Sequence, residues 1–323
     1  MDTELIVGEL CKVTVRKFNP ELDPEPYYST YEIPYTRGMR VLEALDYIVE
    51  ELGDSLAYRW FCGVKKCGGC GILLNEKPVL ACWESVQKEM KIEPLPNFPI
   101  LRDLVIDRSR FDKDLIRIVP WVERSDKYPG FPEKILPSEM GHSIEMMYCI
   151  ECLLCNSVCP AYNEKSDFIG PAILVQLAKF ALDSRDNAPR AQIAVEKTDI
   201  IDCVNCYKCV EACPTNVNVL EHGIDPIRSL IIEENIGDIA HHNRIYRDLV
   251  IRQGIVNPST LLLKSLRTRV LYEIPLAIRM WWKGRISISK IIRGVFGGEH
   301  LNSQDEIIKL ATTIKQNEHN EAE

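Results

Sequence analysis

Twelve of the thirteen cysteines fall into three groups, and two of the groups share the same spacing. Cys149 begins a run of the form C-x2-C-x2-C-x3-C-P, and Cys203 begins a second such run. In runs of this kind three thiolates bind one iron–sulfur cluster, whereas the fourth cysteine binds the other cluster of the pair. The repetition therefore predicts two interlocked cluster sites of the cubane type.

The first group of cysteines has a different spacing. Cys62 begins a C-x4-C-x2-C pattern, and Cys82 follows at the end of a strand-like segment, residues 71–82. This is the plant-type pattern of a [2Fe-2S] centre, whereas a zinc knuckle would need only two C-x2-C pairs. A loop around a cluster needs backbone N–H groups turned toward sulfur and φ values that side chains forbid. Four glycines of the loop suit this requirement: Gly63, Gly68, Gly69 and Gly71.

Two lysines, Lys65 and Lys66, lie inside this loop. Their charge would favour the reduced, more negative cluster and could dock an acidic electron-transfer partner. The alternative is that they are two solvated loop side chains, and the sequence leaves both interpretations open.

The composition is that of an ordinary globular protein. The chain has 323 residues, of which 46% are apolar and 27% charged, so it is long enough for two or three domains with their own cores. A net charge of -8, without a basic run interleaved with aromatic residues, argues against a nucleic-acid-binding protein. So many cysteines in a chain that we expect to be cytosolic are more typical of metal ligands than of disulfides.

The N-terminal residues resemble neither a secretion signal nor a transit peptide. No window of the sequence reaches eighteen uncharged apolar residues, the length that a membrane span requires. We therefore expect membrane association to be peripheral or to depend on partner subunits.

Local patterns predict the elements that position the first group of cysteines. Residues 11–17 alternate apolar and polar side chains and residues 28–33 are rich in aromatic and β-branched types, which predicts a strand hairpin. The leftover Cys11 is predicted to be a buried apolar residue of the first strand. Apolar residues at helical spacing over residues 40–52 predict a helix across this sheet, capped by Gly53.

The second half of the chain has a helical pattern. Seven of the nineteen prolines lie between Pro94 and Pro137, which indicates a connection between domains, partly helical over residues 100–118. Each later cysteine run is followed by an apolar helix candidate, residues 170–182 and 224–235, so loop and helix form an internal repeat.

These elements predict an α+β protein in four parts. An N-terminal β-grasp domain of the plant-type ferredoxin kind is followed by a proline-rich connector. A C-terminal α-helical two-cluster ferredoxin domain comes next, and then a helical extension, first basic and then acidic. The predicted bounds of the four parts are residues 1–105, 106–140, 141–240 and 241–323.

Residues 257–296 of the extension differ in character from the rest. Between Lys264 and Arg293 eight basic residues stand against Glu273, among apolar residues that include Trp281 and Trp282. Such a stretch can lie on an anionic membrane surface or pack on a partner or on its own domain, and both alternatives stay open. The last twenty residues are predicted to form a frayed helix or a tail.

The chain resembles the iron–sulfur subunit of succinate dehydrogenases and fumarate reductases over residues 8–235. The order of the three centres is the same, and the likeness extends beyond the cysteines. The segments that carry it are the first cluster loop, Arg59 to Cys82; a linker, Glu93 to Pro96 with Leu101 to Val105 and Phe111; and an inter-motif helix, Phe168 to Ala172 with Asp183 to Asp186.

The resemblance implies three sets of ligands. The [2Fe-2S] centre would take Cys62, Cys67, Cys70 and Cys82. The first [4Fe-4S] centre would take Cys149, Cys152, Cys155 and Cys213. The last centre would take Cys159, Cys203 and Cys209.

The chain departs from the family at the last centre. Most members have no cysteine at the place of Cys206 and hold a [3Fe-4S] cluster there. Because Cys206 can hold a fourth iron, we predict a second [4Fe-4S] cluster in place of the trinuclear one. The extra thiolate charge should lower its reduction potential.

A second departure concerns the quinone site. Where the family has tryptophans after the first Cys-Pro pair and often a histidine in the second run, this chain has Ala161-Tyr162-Asn163 and Val204. Tyr162, Tyr207 and His222 are candidates for a differently built site, although packing or surface roles explain each more readily. The pattern resembles the less common prokaryotic members with unconventional membrane anchors.

The resemblance implies an electron-transfer subunit of succinate dehydrogenase at the cytoplasmic face of a prokaryotic cell membrane. It would pass electrons from a flavoprotein subunit, which carries covalent FAD and the dicarboxylate site, through three clusters to quinone, next to membrane-anchor subunits. Accordingly, the sequence contains no nucleophile–base motif and no phosphate-binding glycine loop. The alternatives are a fumarate reductase fed by a quinol or a thiol donor, an electron-transfer module of another oxidoreductase such as a heterodisulfide-reductase-like complex, and, least of all, a zinc scaffold.

Overall fold

The computed structural model divides the chain into two compact units, Met1–Arg228 and Ser229–Glu323. Both cysteine-rich parts lie in the first unit, which combines a sheet with helices, so the predicted α+β class is confirmed. The finer domain bounds stay a prediction. The structure describes residues 7–125, 127–133, 135–141, 143–254, 256, 258–266, 272, 274–285 and 303–321.

The N-terminal part of the first unit is built on a five-stranded mixed sheet. The strands are β1 Leu10–Lys17, β2 Tyr27–Pro34, β3 Gly71–Leu74, β4 Lys77–Leu80 and β5 Glu89–Glu93. Their order across the sheet is β2-β1-β5-β3-β4. β1 pairs antiparallel with β2, which confirms the predicted hairpin, and parallel with β5, while β3 pairs antiparallel with β4 and β5.

Helix α1, Val41–Glu50, buries one apolar face that includes Leu42, Leu45 and Ile48, as its spacing predicts. Burial of each such side chain contributes about 1.5–3 kcal/mol. The C-cap of the helix is Glu51, two residues before the predicted cap Gly53, although Gly53 has a φ of 69°, a conformation that favours glycine. Cys11 is fully buried in β1, which confirms its role as a core residue.

The prediction of one strand-like segment over residues 71–82 is wrong, because this segment is a hairpin. Asn75 and Glu76 connect β3 and β4 and have φ values of 45° and 67°, as in a type I′ turn, whose twist matches that of the flanking strands. The Asn75 side-chain oxygen also accepts a hydrogen bond from Lys91 N–H, at 2.8 Å, which ties the turn to β5.

The prediction that residues 100–118 are partly helical is confirmed. A small hairpin, β6 Ile100–Arg102 and β7 Val105–Ile106, comes first, and helix α2, Ser109–Arg117, follows it. Phe111 and Ile118 are buried and anchor this segment to the helical part.

A partly buried ion pair links β1 to the segment after α1. Lys17 donates to Asp54, and the Tyr31 hydroxyl donates to the same carboxylate at 2.7 Å. Burial alone would raise the pKa of Asp54, but these two hydrogen bonds outweigh it and hold the pKa below its ordinary value. Burial alone would lower the pKa of Lys17. The hydrogen bond to Asp54 outweighs this effect, so the pKa of Lys17 is raised.

The Asp54→Asn variant is expected to lose about 1–3 kcal/mol, because Lys17 then stays buried without its carboxylate. The folded pKa of Asp54 is depressed, so its contribution is present above the unfolded value of about 3.9 and is lost as the pH falls further. The raised pKa of Lys17 makes its contribution present below about 10.4 and lost at higher pH. Thermal unfolding at pH values inside and outside this window measures the difference.

The matched control is Glu93→Gln, which breaks the pair between Glu93 and Lys91, at 3.0 Å, whose lysine is exposed whereas Lys17 is buried. An exposed pair is worth only about 0.2–1 kcal/mol. Equal losses in Asp54→Asn and Glu93→Gln would contradict the prediction.

The second part of the first unit is helical. Its elements are α3 Pro137–Met140, α4 Ser143–Met146, α5 Leu154–Ser157, α6 Pro171–Ala181, α7 Arg190–Lys197, a 3-10 turn Ile200–Asp202, α8 Lys208–Glu211, a π-turn Val219–Ile224 and the first turn of α9 Asp225–Glu233, which continues into the second unit. The predicted helices at 170–182 and 224–235 are confirmed as α6 and α9. Helix α6 lies at the centre, because it buries all of its residues from Pro171 to Ala178 and packs against α2, α4, α5, α7 and the π-turn.

Besides the end of α9, the second unit contains four helices among its described residues. They are α10 Gly237–Gln253, α11 Pro258–Leu266, α12 Ile274–Trp282 and α13 Gln304–Glu321. Helix α10 packs against α11 and α13, and the predicted C-terminal helix is confirmed as α13. In the described part of the chain, no helix combines the length and apolar character that a membrane crossing requires.

Candidate iron–sulfur cluster sites

The loop between α1 and β3 turns its backbone N–H groups toward thiol sulfurs, as predicted. Those of Val64, Lys66 and Cys67 donate to Cys62 Sγ at 3.4, 3.3 and 3.3 Å. Lys65 N–H donates to Cys82 Sγ at 3.4 Å. Donors of this kind stabilise a negative sulfur, and they lower the pKa of the Cys62 thiol to about 7.

The sheet brings Cys82 back to this loop. Cys82 follows β4, which pairs with β3 directly after Cys70, and Ala81 N–H donates to Cys70 O at 3.0 Å. Burial raises the pKa of the neighbouring Cys70 thiol to about 12. The hairpin thus unites all four cysteines of the first group, and their ligation of a [2Fe-2S] cluster stays a prediction.

The glycines of the loop serve two purposes. Gly63 and Gly68 have φ values of 69° and 68°, the conformation that the loop was predicted to need. A Cβ on Gly68 would lie 2.3 Å from the Ile150 carbonyl oxygen, and one on Gly71 would lie 3.3 Å from that of Cys152. Gly68 and Gly71 therefore let the first loop touch the backbone of the first cysteine run.

Four cysteines surround a cavity between the two runs: Cys149, Cys152, Cys155 and Cys213. Three belong to the first run and one to the second, in the same division that the resemblance implies. Ala172 and Val175 of α6, with Val217 and Val219, supply apolar walls.

A second cavity has the reverse composition: Cys159 of the first run with Cys203, Cys206 and Cys209 of the second. Phe168, Pro171, Leu220 and Ile224 close its apolar side. The two cavities are therefore interlocked, since each takes its fourth cysteine from the other run.

The internal repeat extends to the backbone. Glu151 and Leu153 of the first run have φ values of 53° and 64°, and the equivalent Asn205 and Tyr207 have 53° and 62°. Left-handed conformations of residues other than glycine cost about 1–3 kcal/mol and persist only where the surroundings demand them. The same two strained positions in each run indicate that both are shaped to wrap the same kind of occupant.

The chemistry of these thiols fits an iron–sulfur cluster. Burial raises the pKa of Cys152 and of Cys209 to about 12, and it also raises that of Cys149, Cys155 and Cys159. A buried thiolate without a cation is costly, so these groups would release their protons on binding iron. Each of the two apolar cavities contains four thiols, which suits a thiolate-bound cluster. Each set of four cysteines would then hold one cluster.

Cys206 differs from the other eleven cysteines of the three sets, because it alone among them is exposed. It lines the second cavity with its neighbours Val204 and Tyr207, whose side chains are also largely exposed. The structure therefore places a fourth thiol at the last site, on its solvent side.

The quinone candidates have ordinary partners. Tyr162 is buried against Phe98, with ring centroids 5.6 Å apart, and under the Arg110 guanidinium at 4.8 Å. The Tyr207 hydroxyl donates to Glu221 at 3.0 Å, and His222 pairs with Glu145. Tyr162 is thus a core residue, Tyr207 lines the second cavity, and a quinone site stays a prediction.

Two positioning residues were missed in the sequence. The Asn97 amide donates to the carbonyls of Asn156, Ser157 and Cys159 at 3.2, 3.0 and 3.3 Å. Arg228 donates to Cys203 O at 2.7 Å and to the Asn205 side chain. Neither residue belongs to a motif, since its role comes from contacts with residues far away in the chain.

The Asn97→Gly variant is expected to destabilise the protein by about 1–3 kcal/mol, because carbonyls of the first run lose their donor. Asn97 has a φ of 69°, so glycine removes the amide without backbone strain. Chemical denaturation monitored by cluster absorption provides the measurement. Asn216→Gly is the matched control, since Asn216 also has a positive φ, 58°, but an exposed side chain. Equal stability of the two variants would contradict the assigned role.

Comparison with known proteins agrees with this geometry. A family model described as a 2Fe-2S iron-sulfur cluster binding domain matches residues 12–113, and one described as a 4Fe-4S dicluster domain matches residues 145–217. The fumarate reductase iron-sulfur subunit of Haemophilus influenzae is 37% identical over 226 residues, which cover 65% of this chain and 88% of that subunit. The chain belongs to the family of succinate dehydrogenase and fumarate reductase iron–sulfur subunits.

Other relatives of this family are longer. A subunit of the fumarate reductase (CoM/CoB) of Methanothermobacter marburgensis is 34% identical, over 73% of this chain and 47% of that protein. An iron-sulfur protein of Methanocaldococcus jannaschii is 35% identical, over 79% and 51%. The chain thus spans about half the length of these two relatives.

A chain of the Mycobacterium smegmatis Sdh1 complex in the apo form has the same fold, with a TM-score of 0.65 and 24% identity over 70% of this chain and 97% of that one.

Proposed function

We propose that this protein is the electron-transfer subunit of a succinate dehydrogenase, which passes electrons from a flavoprotein subunit to quinone. One [2Fe-2S] and two [4Fe-4S] clusters would be held by the three sets of four cysteines. The observation that carries the proposal is that the three sets of cysteines are adjacent to one another. The first loop touches the first run through Gly68 and Gly71, and each run contributes one cysteine to the cavity of the other.

When bound, such clusters accept and donate single electrons at potentials that the surrounding protein sets. The apolar walls of the first cavity keep water away from its site, apolar residues close one side of the second, and the backbone of the first loop places N–H donors on its sulfurs. Hydrogen bonds to sulfur favour the more negative, reduced state. The backbone thus tunes the first site, and the fourth thiolate lowers the potential of the last.

The surface of the first loop suits contact with the flavoprotein. Phe61, Val64 and Trp83 are exposed, with fractions of 85%, 62% and 52%. The Lys65 ammonium lies over the Trp83 ring at 5.1 Å, so this lysine is also part of the surface that the tryptophan forms. An apolar face with cationic edges next to the [2Fe-2S] site is a suitable dock for an acidic, FAD-carrying subunit.

Electrons would leave at the opposite end of the series. The exposed side chain of Val204 lines the second cavity together with Cys206 and forms an apolar surface where a quinone or an anchor subunit could approach. Membrane-anchor subunits would hold the complex at the cytoplasmic face of a prokaryotic cell membrane.

Anaerobic purification of the native complex tests this proposal. We expect a co-purifying flavoprotein, iron for three clusters, and electron transfer from succinate to a quinone analogue. EPR spectra at poised potentials assign the centres, and rates measured in both directions determine the physiological one. A colourless, iron-free protein would overturn the proposal in favour of a zinc scaffold, and iron-loaded protein without a flavoprotein would favour a module of another oxidoreductase.

The reverse reaction is the second candidate. The Haemophilus and Methanothermobacter relatives are both named as fumarate reductase subunits, the latter with CoM/CoB in its name. A fumarate reductase fed by a quinol or by thiol donors would use the same series of clusters. Faster fumarate reduction than succinate oxidation at equal driving force would favour it.

A further inference from the structure

Helix α12 leaves its apolar side chains in water. None of its described residues is buried, and Trp281 and Trp282 are 48% and 82% exposed. Tyr272, just before the helix, is 85% exposed. A contiguous apolar surface of this kind marks an interaction site, because its burial elsewhere would be favourable.

The exposed side chains of α12 form a face and an opposite edge. Ile274, Ile278, Trp281 and Trp282 stand at positions i, i+4, i+7 and i+8, which fall on one side of a helix. Arg279, and Lys283 just beyond the last turn, are four residues apart and point to the other side. Arg279 and Lys283 therefore form a narrow basic edge of an otherwise apolar helix, next to the exposed Leu276.

The charge around α12 identifies its partner as anionic. No acidic residue lies between Ile274 and Arg285, although the whole chain carries a net charge of -8. Tryptophans next to basic side chains are typical of the boundary between headgroups and acyl chains, where an indole keeps one polar and one apolar side. Nine residues rise only about 14 Å along the axis, so the helix would lie in the plane of a membrane rather than cross it.

We propose that α12 binds the surface of an anionic lipid bilayer. Its face of Ile274, Ile278, Trp281 and Trp282 lies in the headgroup–acyl boundary, and Arg279 and Lys283 face the lipid phosphates. This subunit would then contact lipid itself rather than only through anchor subunits. The inference does not depend on the clusters or on the direction of electron transfer.

Vesicle sedimentation of the full, cluster-loaded chain tests the proposal. We expect binding to vesicles of phosphatidylglycerol mixed with phosphatidylcholine, weaker binding to phosphatidylcholine alone, and a loss of binding at high salt. The double variant Trp281→Ser, Trp282→Ser is expected to bind about 10-fold more weakly to both kinds of vesicle. Arg279→Gln with Lys283→Gln should weaken binding about 5-fold per charge on the anionic vesicles only.

Matched variants elsewhere serve as controls. Trp121→Ser removes a tryptophan of similar exposure, 54%, and Lys12→Gln with Lys77→Gln removes two exposed charges of the sheet. These variants should bind vesicles like the wild type, and all variants should keep their iron content and helical circular dichroism.

Three results would overturn the proposal. The first is a wild-type chain that sediments with neither kind of vesicle, and the second is variants of α12 that bind as well as the wild type. The third is protection of Trp281 and Trp282 from a soluble fluorescence quencher in the detergent-solubilised complex, with no vesicle binding, which would assign α12 to a partner protein instead.

Discussion

The Cys206→Ala variant is expected to show an oxidised [3Fe-4S] EPR signal of roughly one spin per chain that the wild type lacks. Three of the four cysteines around the second cavity would remain in this variant: Cys159, Cys203 and Cys209. Three thiolates hold three irons of a cubane, so the fourth iron loses its ligand. The reduction potential of the last centre should rise, because one negative sulfur has gone.

Iron content and redox-poised EPR check this result together. The variant should contain one iron fewer per chain than the wild type, with unchanged signals from the other two centres. Cys11→Ala is the control, since Cys11 is buried in β1 and belongs to none of the three sets. A full [3Fe-4S] EPR signal in the oxidised wild type would contradict the prediction of a second [4Fe-4S] cluster.

The Gly68→Ala variant is expected to separate the first loop from the first cysteine run. Its Cβ would lie 2.3 Å from Ile150 O and 3.0 Å from the Cys152 backbone, so one of the two backbones must shift. Overpacking of this kind costs about 1–3 kcal/mol, in addition to about 1–2 kcal/mol for a side chain at positive φ. A displacement of the first loop should also slow electron transfer between the first two centres.

Gly63→Ala separates the two causes. Gly63 has nearly the same φ, 69°, but a Cβ at this position would meet no atom within 4 Å, so only the backbone strain remains. Thermal unfolding measures the difference in stability, and rapid-mixing spectroscopy measures the rate at which the second centre is reduced. Equal stability and equal rates in the two variants would show that the contact with Ile150 has no such role.

Local patterns were sufficient to predict much of the fold. The alternation of β1, the helical spacing of α1, the apolar run of α6 and the burial of Cys11 depend on neighbouring residues, and each is confirmed. The division of cysteines between the two cavities follows from spacing in the same way. The family assignment implied by these motifs is confirmed by the comparisons.

The remaining features depend on contacts between distant parts of the chain. β5 has only two buried apolar residues, Met90 and Ile92, in a charged segment, and its parallel partner β1 lies at the other end of the domain. The roles of Asn97 and Arg228 likewise come from carbonyls that only the folded chain presents. The sequence shows that Gly68 lies in a glycine-rich loop. It does not show which atoms a side chain at this position would contact.

The exchange of one cysteine between the two runs has a consequence for assembly. A cluster in either cavity would join residues of both runs. Each cluster would therefore act as a cross-link that restricts the conformations of the unfolded chain, as a disulfide does. Neither cluster could then leave without loosening the ligands of the other. We therefore expect a chelator to remove the two cubane clusters in a single cooperative phase, while the [2Fe-2S] cluster, held by its own hairpin, is lost separately.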